Sequence, residues 1–330
     1  MRALRRRRGG AAVLVLALLC CAGPREASAL MAGAPPDSPA LRQDPNTATS
    51  AWRGVGSLTV GAATYSAVAI TTRHVLTAAH VVGGIAPAQI RFVLNTGGSP
   101  VSLAAEAVTL FPSASFPYDD LAVIRLSGDI PAPATPYPIL TRAITTGQVI
   151  TLVGYGASGN GDSGVSVTSS ASVRRRGVNV VDAIRTTLDN SGRSSLFLLH
   201  DFDGPGGNGS LGGTTLGNAV ETGLAGGDSG SPVFAWVDGV TWLVGISNFV
   251  TSPTSGAPVN YRFGTIGGGI LLSDPRFLAW LKETTGNTLY TPPAQSEAEV
   301  PALPVWATGT LALGLAARIL RGRGNRAGGG

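Results

Sequence analysis

Short runs of apolar residues, many alternating with polar ones and bounded by glycine-rich turns, recur along the chain. Runs of this kind are typical of half-buried β-strands. In the first half they predict strands at 56–60, 67–71, 75–77, 90–94, 104–110 and 121–126. In the second half they predict strands at 149–153, 166–173, 196–202, 233–237 and 242–249. The regular spacing of these short strands favours antiparallel sandwiches or barrels.

Two stretches interrupt the β pattern. Residues 131–138 contain four prolines, which cannot form an internal strand because proline has no amide hydrogen, and we expect a link between two β units near 130–148. Residues 274–282 begin with an aspartate and a proline and carry apolar residues at 277, 280 and 281. That pattern predicts a short helix with an aspartate N-cap.

The charge of the chain is concentrated at its ends. The formal net charge is +5, but ten of the 24 basic residues are arginines in the first 25 and last 13 positions. Residues 30–300 carry 14 basic and 18 acidic residues, a net charge of −4. The body is mildly acidic, so we expect no nucleic-acid partner.

The N-terminus has the pattern of a signal peptide, predicted at 1–29. Four arginines, Arg5–Arg8, precede an apolar run that is too short to span a membrane, and Ala27-Ser28-Ala29 offers a small-x-small cleavage site before Leu30. We therefore expect export, with a signal peptidase as a partner. The two cysteines of the chain lie within this segment, so the mature protein has no disulfide. Residues 30–50 show no periodicity and are predicted to be a disordered lead-in.

The C-terminal region divides into three segments. We predict a linker and sorting motif at 291–304, a transmembrane segment at 305–320 and a basic tail at 321–330. This layout resembles bacterial C-terminal sorting domains of the IPTL and PEP type, from which a membrane peptidase removes the tail. The residues that fit this type are Pro301, Leu303 and Trp306. The alternative is a plain membrane anchor. Both place the protein at a bacterial cell envelope or in the secreted fraction.

The candidate chemistry centres on Ser229, in the run Gly226-Gly227-Asp228-Ser229-Gly230-Ser231-Pro232. Flanking glycines allow positive φ, so the Ser229 hydroxyl can project beside two convergent amides, those of Gly227 and Ser229. A hydroxyl next to two such donors suits acyl transfer. The chain repeats Gly-Asp-Ser-Gly at 161–164, so the tetrapeptide alone is weak and a base must be found.

His80 and Asp120 supply the remaining chemistry. His80 ends Leu-Thr-Ala-Ala-His at 76–80, and Asp120 opens Asp-Leu-Ala-Val-Ile at 120–124. With Gly-Asp-Ser-Gly-Ser-Pro at 227–232, these motifs resemble the chymotrypsin/trypsin-like serine proteases over about residues 52–285. The resemblance implies an all-β fold of two antiparallel six-stranded β-barrels, within a domain at 51–290, closed by a short C-terminal helix.

The order of the motifs separates the two candidate serines. Ser229 lies 109 residues after Asp120, whereas Ser163 follows it by only 43. In the family the aspartate and the serine lie on different barrels, so the resemblance favours Ser229. It then implies that Ser229 attacks the scissile carbonyl, His80 transfers the proton and Asp120 orients His80. The amides of Gly227 and Ser229 would form the oxyanion hole.

The resemblance also implies a primary pocket. Its residues would be Gly223 at the base and Asn248, Phe249 and Val250 on the wall. Trypsin-like enzymes that select Arg or Lys carry an aspartate where this chain has Gly223, and Val250 would narrow the entrance. We expect hydrolysis of a protein or peptide substrate after small or medium uncharged side chains, with no cofactor and no metal.

Three further expectations complete the analysis. Asp119 is predicted to be a solvated loop residue, and 199–208 a glycine-rich surface loop rather than a calcium site. The family pairs its mature N-terminus with the aspartate before the nucleophile, here Asp228. No matching activation junction is found, and the nearest candidate, at 52–56, is poor. An inactive protease-like binding protein is the main alternative function, followed by a glycine-rich adhesin.

Overall fold

A computed structural model of the chain describes residues 30–188, 192, 194–207 and 209–292. The described residues up to Thr291 belong to one compact unit. The predicted signal peptide, the sorting motif, the apolar segment 305–320 and the basic tail lie outside the described residues. Among those that are described, no helix is long and apolar enough to cross a membrane.

Six antiparallel strands of the first half close into a barrel, in the order β2-β3-β4-β7-β6-β5. The strands are β2 (Val55–Val60), β3 (Ala63–Ala69), β4 (His74–Thr77), β5 (Ile90–Leu94), β6 (Val101–Leu110) and β7 (Ala122–Leu126). A one-turn helix, α1 (Ala79–Val82), follows β4, and a 3-10 turn (Pro87–Gln89) precedes β5. Alternate residues of the strands, such as Leu58, Phe92 and Ile124, fill the barrel core. The predicted all-β fold with a six-stranded barrel is confirmed.

The second half forms a seven-stranded antiparallel sheet in the order β11-β8-β14-β15-β16-β13-β12. Its strands are β8 (Val149–Gly154), β11 (Arg175–Val180), β12 (Ala183–Leu188), β13 (Ser194–Asp201), β14 (Pro232–Val237), β15 (Val240–Thr251) and β16 (Ile266–Leu271). This sheet stands where the sequence predicted a second six-stranded barrel. No strand forms between β7 and β8, where the proline-rich link was expected.

A third, small sheet joins β1 (Leu30–Ala32), β9 (Ser158–Asn160) and β10 (Gly164–Val167). Strand β1 pairs with β9 in parallel and all three of its residues are fully buried. Residues 30–50 are therefore folded, and the prediction of a disordered lead-in is wrong. The contacts that order this segment are long-range ones, including a buried ion pair between Asp44 and Arg174, and composition alone does not reveal them.

Strand β16 escaped prediction because it contains three consecutive glycines, Gly267–Gly269, which have low strand propensity. Close packing requires them: a side chain at Gly268 would overlap the Phe249 ring, and one at Gly267 would overlap His200. The predicted strand 166–173 is also displaced. Its residues divide between β10 and a turn, and β11 begins only at Arg175.

The C-terminal helix α2 (Pro275–Thr284) confirms the predicted helix. The Asp274 side chain accepts a hydrogen bond from the Arg276 amide, as an N-cap does. The apolar face of α2, with Phe277 and Trp280, packs edge-on against Phe111 of the segment that precedes β7. The largest core cluster includes residues of the barrel, the seven-stranded sheet and α2. This shared core holds the barrel against the sheet, and the candidate site lies where they meet.

Candidate active site

Ser229 lies in a tight turn just before β14. Gly227 and Gly230 on either side have φ of 91° and 82°, a region that strongly favours glycine. A side chain at Gly230 would overlap the Thr77 hydroxyl of β4, so this turn presses directly on the barrel. The Ser66 amide of β3 also donates to the Ser229 carbonyl at 3.1 Å. The barrel thereby fixes the position of a serine that belongs to the other sheet.

The structure brings Ser229, His80 and Asp120 into one hydrogen-bonded chain. His80 Nε2 lies 3.0 Å from Ser229 Oγ, and His80 Nδ1 lies 2.6 Å from Asp120 Oδ2. The other oxygen of Asp120 accepts the His80 backbone amide at 2.7 Å. Because Nδ1 faces a carboxylate, it carries the hydrogen in the neutral imidazole, and Nε2 is left to accept from the serine.

His80 and Asp120 stand on neighbouring elements of the barrel. His80 is the second residue of α1, which follows β4. Asp120 lies just before β7, and β7 pairs with β4. Asp120 is 1% exposed, whereas the His80 side chain is 27% exposed. Asn248 Nδ2 of β15 lies 3.4 Å from Asp120 Oδ2. The carboxylate is thus enclosed by groups from both halves, and the imidazole faces the open side.

The hydrogen bonds of the Ser229 turn leave two of its backbone amides unused among the described residues. The amide of Asp228 donates to Ala225 and that of Gly230 to Ser247, while no hydrogen bond among the described residues uses the amides of Gly227 or Ser229. Donors that are fixed but unoccupied next to a nucleophile are suited to an oxyanion.

A cavity of about 470 Å³ opens beside Ser229. It is lined by His80, Phe116, Leu224, Ala225, Gly226, Asp228, Ser229, Ser247, Asn248, Phe249, Val250 and Tyr261. Of the predicted pocket residues, Asn248, Phe249 and Val250 line it. Phe116 was not predicted from the sequence; its ring packs edge-on against His80, 4.9 Å between centroids, and is 56% exposed.

Gly223 does not line the cavity. Its carbonyl accepts the Met31 amide of β1 at 2.9 Å, and a side chain in its place would meet the Phe202 ring. The next residue, Leu224, lines the cavity instead. The sequence could not show this difference because β1, which fixes Gly223, belongs to the segment predicted to be disordered.

Comparison with known families agrees with this geometry. The model of the trypsin-like peptidase domain matches residues 65–246, more than half of the chain. The chain belongs to the trypsin-like peptidase family. His80, Asp120 and Ser229 all fall within the matched residues. A search of the curated proteins found no match for this chain.

The second candidate serine of this peptidase domain lies elsewhere. Ser163 is exposed in the turn between β9 and β10, and its hydroxyl donates to Asn160 Oδ1 at 2.8 Å. This arrangement agrees with the predicted preference for Ser229, because His80 Nε2 lies at hydrogen-bond distance from the Ser229 hydroxyl.

Asp228, next to the serine, is a buried carboxylate. It is 1% exposed and accepts the amides of Gly156 and Ala225, each at 3.0 Å, and the amide of Leu30. Burial raises the pKa of Asp228 to about 7, against the effect of these donors and of the Arg175 charge. No partner for Asp228 was predicted from the sequence; in the structure, the start of β1 is one of its partners.

Asp119 is not the solvated loop residue that was predicted. It is 1% exposed and exchanges hydrogen bonds with Ser195: its amide donates to the Ser195 hydroxyl, which donates in turn to the carboxylate, both at 2.7 Å. Arg276 of α2 lies 3.3 Å from the same carboxylate. Asp119 therefore ties the segment beside Asp120 to β13 and α2, a role that only the folded chain reveals.

The predicted surface loop after Leu199 is correct only for its glycine-rich part: residues 204–207 form a partly exposed turn, whereas 200–203 are buried. His200 and Asp201 end β13 and are each 1% exposed, and Asp203 is 4% exposed. Burial lowers the pKa of His200 to about 4. Asn208, which the calcium alternative would need, lies outside the described residues. Within the described ranges, no group of three or more His, Cys, Asp or Glu side chains is placed to hold a metal.

Proposed function

We propose that this chain is an exported serine endopeptidase that hydrolyses peptide bonds through Ser229, His80 and Asp120. The observation that carries the proposal is the hydrogen-bonded chain from Asp120 to His80 to Ser229, beside two unoccupied amides. Membership of the trypsin-like peptidase family supports a serine-peptidase function in general. Export rests on the sequence pattern of residues 1–29, in which an arginine cluster and an apolar run precede a cleavage site.

The geometry suggests how each group acts. Ser229 Oγ attacks the scissile carbonyl carbon while His80 Nε2 takes the hydroxyl proton, and Asp120 stabilises the imidazolium that results. The carbonyl oxygen becomes an oxyanion and accepts the amides of Gly227 and Ser229. His80 then donates the proton to the leaving nitrogen as the C–N bond breaks. Water releases the acyl group in the reverse sequence, with His80 again as the base.

The lining of the cavity supports a preference for small or medium uncharged side chains at the cleaved position. Leu224 and Val250 offer apolar surface to a bound side chain. Asp228 is the acidic residue of the described lining, and three amides engage its carboxylate. A substrate Arg or Lys would therefore enter without a counter-charge, at a desolvation cost.

The test of catalysis is labelling of the full chain with a fluorophosphonate, which reacts only with an activated serine. We expect Ser229→Ala to abolish labelling and the matched variant Ser163→Ala to retain it. A correctly folded wild-type chain that does not react would contradict the proposal and favour a protease-like binding protein.

Specificity is tested separately by cleavage of a peptide library with unlabelled wild-type protein that has been shown to react with the probe. We expect Ala, Val, Thr or Leu to dominate at the cleaved position. Dominance of Arg or Lys would overturn the assignment of the pocket while leaving the catalytic assignment intact.

A further inference from the structure

A second cavity, of about 280 Å³, lies beside the candidate active site, and we call it the side cavity. Phe249 lines both the side cavity and the cavity next to Ser229. Phe116 lines the cavity next to Ser229, and Pro117, the following residue, lines the side cavity. The two cavities are therefore adjacent, and a peptide that is bound at Ser229 is long enough to occupy both.

The floor of the side cavity is one face of the seven-stranded sheet. Arg185 of β12 pairs with Phe197 of β13, and Leu199, two positions later, points to the same face. Leu199 pairs with Gly268 of β16, which in turn pairs with Phe249 of β15. A β-carbon at Gly268 would stand 2.1 Å from the Phe249 ring. The glycine therefore allows this ring to lie against the sheet, where it borders both cavities.

Three aromatic rings line the side cavity. The Phe197 ring packs edge-on against Tyr118 and Phe249, with centroids 5.9 Å and 5.6 Å apart. Leu199 and Leu211 add aliphatic surface. A concave surface of this kind binds the methylene groups of a substrate side chain, because their contact removes apolar area from water.

Arg185 is the one charged residue among the described residues that line the side cavity. It is exposed, and its guanidinium has no hydrogen bond or ion pair within the described part of the chain. Asp119 adjoins the lining segment, but its carboxylate is buried and bound by Ser195 and Arg276. An unpaired guanidinium beside an apolar surface is suited to bind a carboxylate of another molecule through two parallel N–H···O bonds.

We propose that the side cavity is a second substrate site, at which Arg185 selects a glutamate side chain. The methylene groups of the glutamate lie against Phe197 and Phe249 while its carboxylate binds Arg185; aspartate is shorter by one methylene group and makes less of this contact. A lysine or arginine at the same position is repelled by the like charge. This inference rests on the proposed function, since it concerns substrate choice at the same site. We place the glutamate on the acyl side of the cleaved bond, because the residue that enters the first cavity is on that side and Phe249 borders both cavities.

The test measures kcat/KM of the full chain for peptides that have alanine at the cleaved position. Glutamate, aspartate or lysine replaces glutamine at one upstream position at a time. We expect glutamate to be cleaved roughly five- to twentyfold faster than glutamine at one of these positions. That range lies between the effect of a fully exposed ion pair and that of a buried charged hydrogen bond. The glutamate-to-glutamine ratio should fall in about 1 M salt, which screens the two charges.

Three variants connect this ratio to Arg185. Arg185→Ala should lower the ratio to about one, and Arg185→Glu should favour lysine over glutamine at the same position. Arg91→Ala is the matched control, because it removes an exposed arginine from β5 of the barrel and should keep the wild-type ratio. Circular dichroism checks that each variant is folded. The ratio compares two peptides on the same protein, so a general loss of activity does not alter it.

The outcomes separate this inference from the proposed function. A wild-type ratio near one at every position would overturn the selection of glutamate and leave the peptidase assignment standing. A preference for glutamate that survives Arg185→Ala, or a stronger preference for a large apolar side chain at the same position, would also overturn the role of Arg185. A folded wild-type chain that neither cleaves the peptides nor reacts with the fluorophosphonate would instead refute the peptidase assignment, and the substrate site with it.

Discussion

Arg174 is a fully buried guanidinium that joins the lead-in segment to both halves of the molecule. Its Nη2 lies 2.7 Å from Asp44 Oδ1, and its Nη1 donates to the carbonyls of Val55 at 3.1 Å and Asn95 at 3.4 Å. Its side chain is 0% exposed and that of Asp44 is 4% exposed. We predict that Arg174→Met lowers the free energy of unfolding more than any substitution on the exposed face of β11, the strand that follows it.

The magnitude follows from what the substitution leaves behind. Methionine fills much of the volume, but the carboxylate of Asp44 stays buried without its cation, and two carbonyls lose a donor. Removal of one partner from a buried ion pair costs about 3–5 kcal/mol of unfolding free energy. Arg176, an exposed arginine two positions further along the chain, provides the control: Arg176→Met should change that free energy by no more than about 0.5 kcal/mol.

The assay is urea unfolding of the full chain, followed by circular dichroism at neutral pH, for wild type, Arg174→Met and Arg176→Met. The double variant Arg174→Met with Asp44→Asn should recover part of the loss, because it removes the unpaired charge as well. A cost below about 1 kcal/mol for Arg174→Met, or equal costs for the two arginines, would refute the argument that this ion pair orders the lead-in.

Four other outcomes are expected. Asp120→Asn should lower kcat in peptide hydrolysis by about 10⁴-fold with an unchanged circular dichroism spectrum, since the imidazole loses its orienting carboxylate. Val250→Gly should raise kcat/KM for Phe relative to Ala at the cleaved position by roughly tenfold in peptide assays. Gly230→Ala should cost about 2–4 kcal/mol in urea unfolding, because alanine is strained at a φ of 82° and overlaps Thr77. Burial acts to raise the pKa of Asp44, but the ion pair with Arg174 outweighs burial and holds that pKa below the ordinary 3.8. The stability that Asp44 contributes should therefore be present above pH 4 and be lost below it. Urea unfolding at pH 5 and at pH 2 would measure the difference.

Local patterns in the sequence predicted the parts of the fold that local patterns determine. The alternating strands of the barrel and the aspartate N-cap of α2 depend on neighbouring residues, so they were found correctly. The three candidate catalytic residues were also found, because each lies in a short motif at a strand end. The structure brings them into contact as the motifs predicted.

The misses share a physical cause: each depends on a partner far along the chain. A carboxylate such as Asp119 resembles a solvated one until Ser195 and Arg276 enclose it. Strand β1 has too little periodicity in three residues to be detected, yet it is buried by strands about 130 positions later. For the same reason, the displacement of Gly223 from the pocket was outside the reach of sequence patterns.

The position of the Ser229 turn determines the stage of folding at which peptidase activity can first appear. Its hydroxyl and its two free amides come from the second half, whereas His80 and Asp120 come from the first. Under the proposed function, neither half holds a complete set of reacting groups. Unfolded segments are the most easily cleaved substrates. A partly folded chain therefore cannot cleave its own unfolded segments or those of neighbouring chains. Peptidase activity therefore appears only when the two halves have docked.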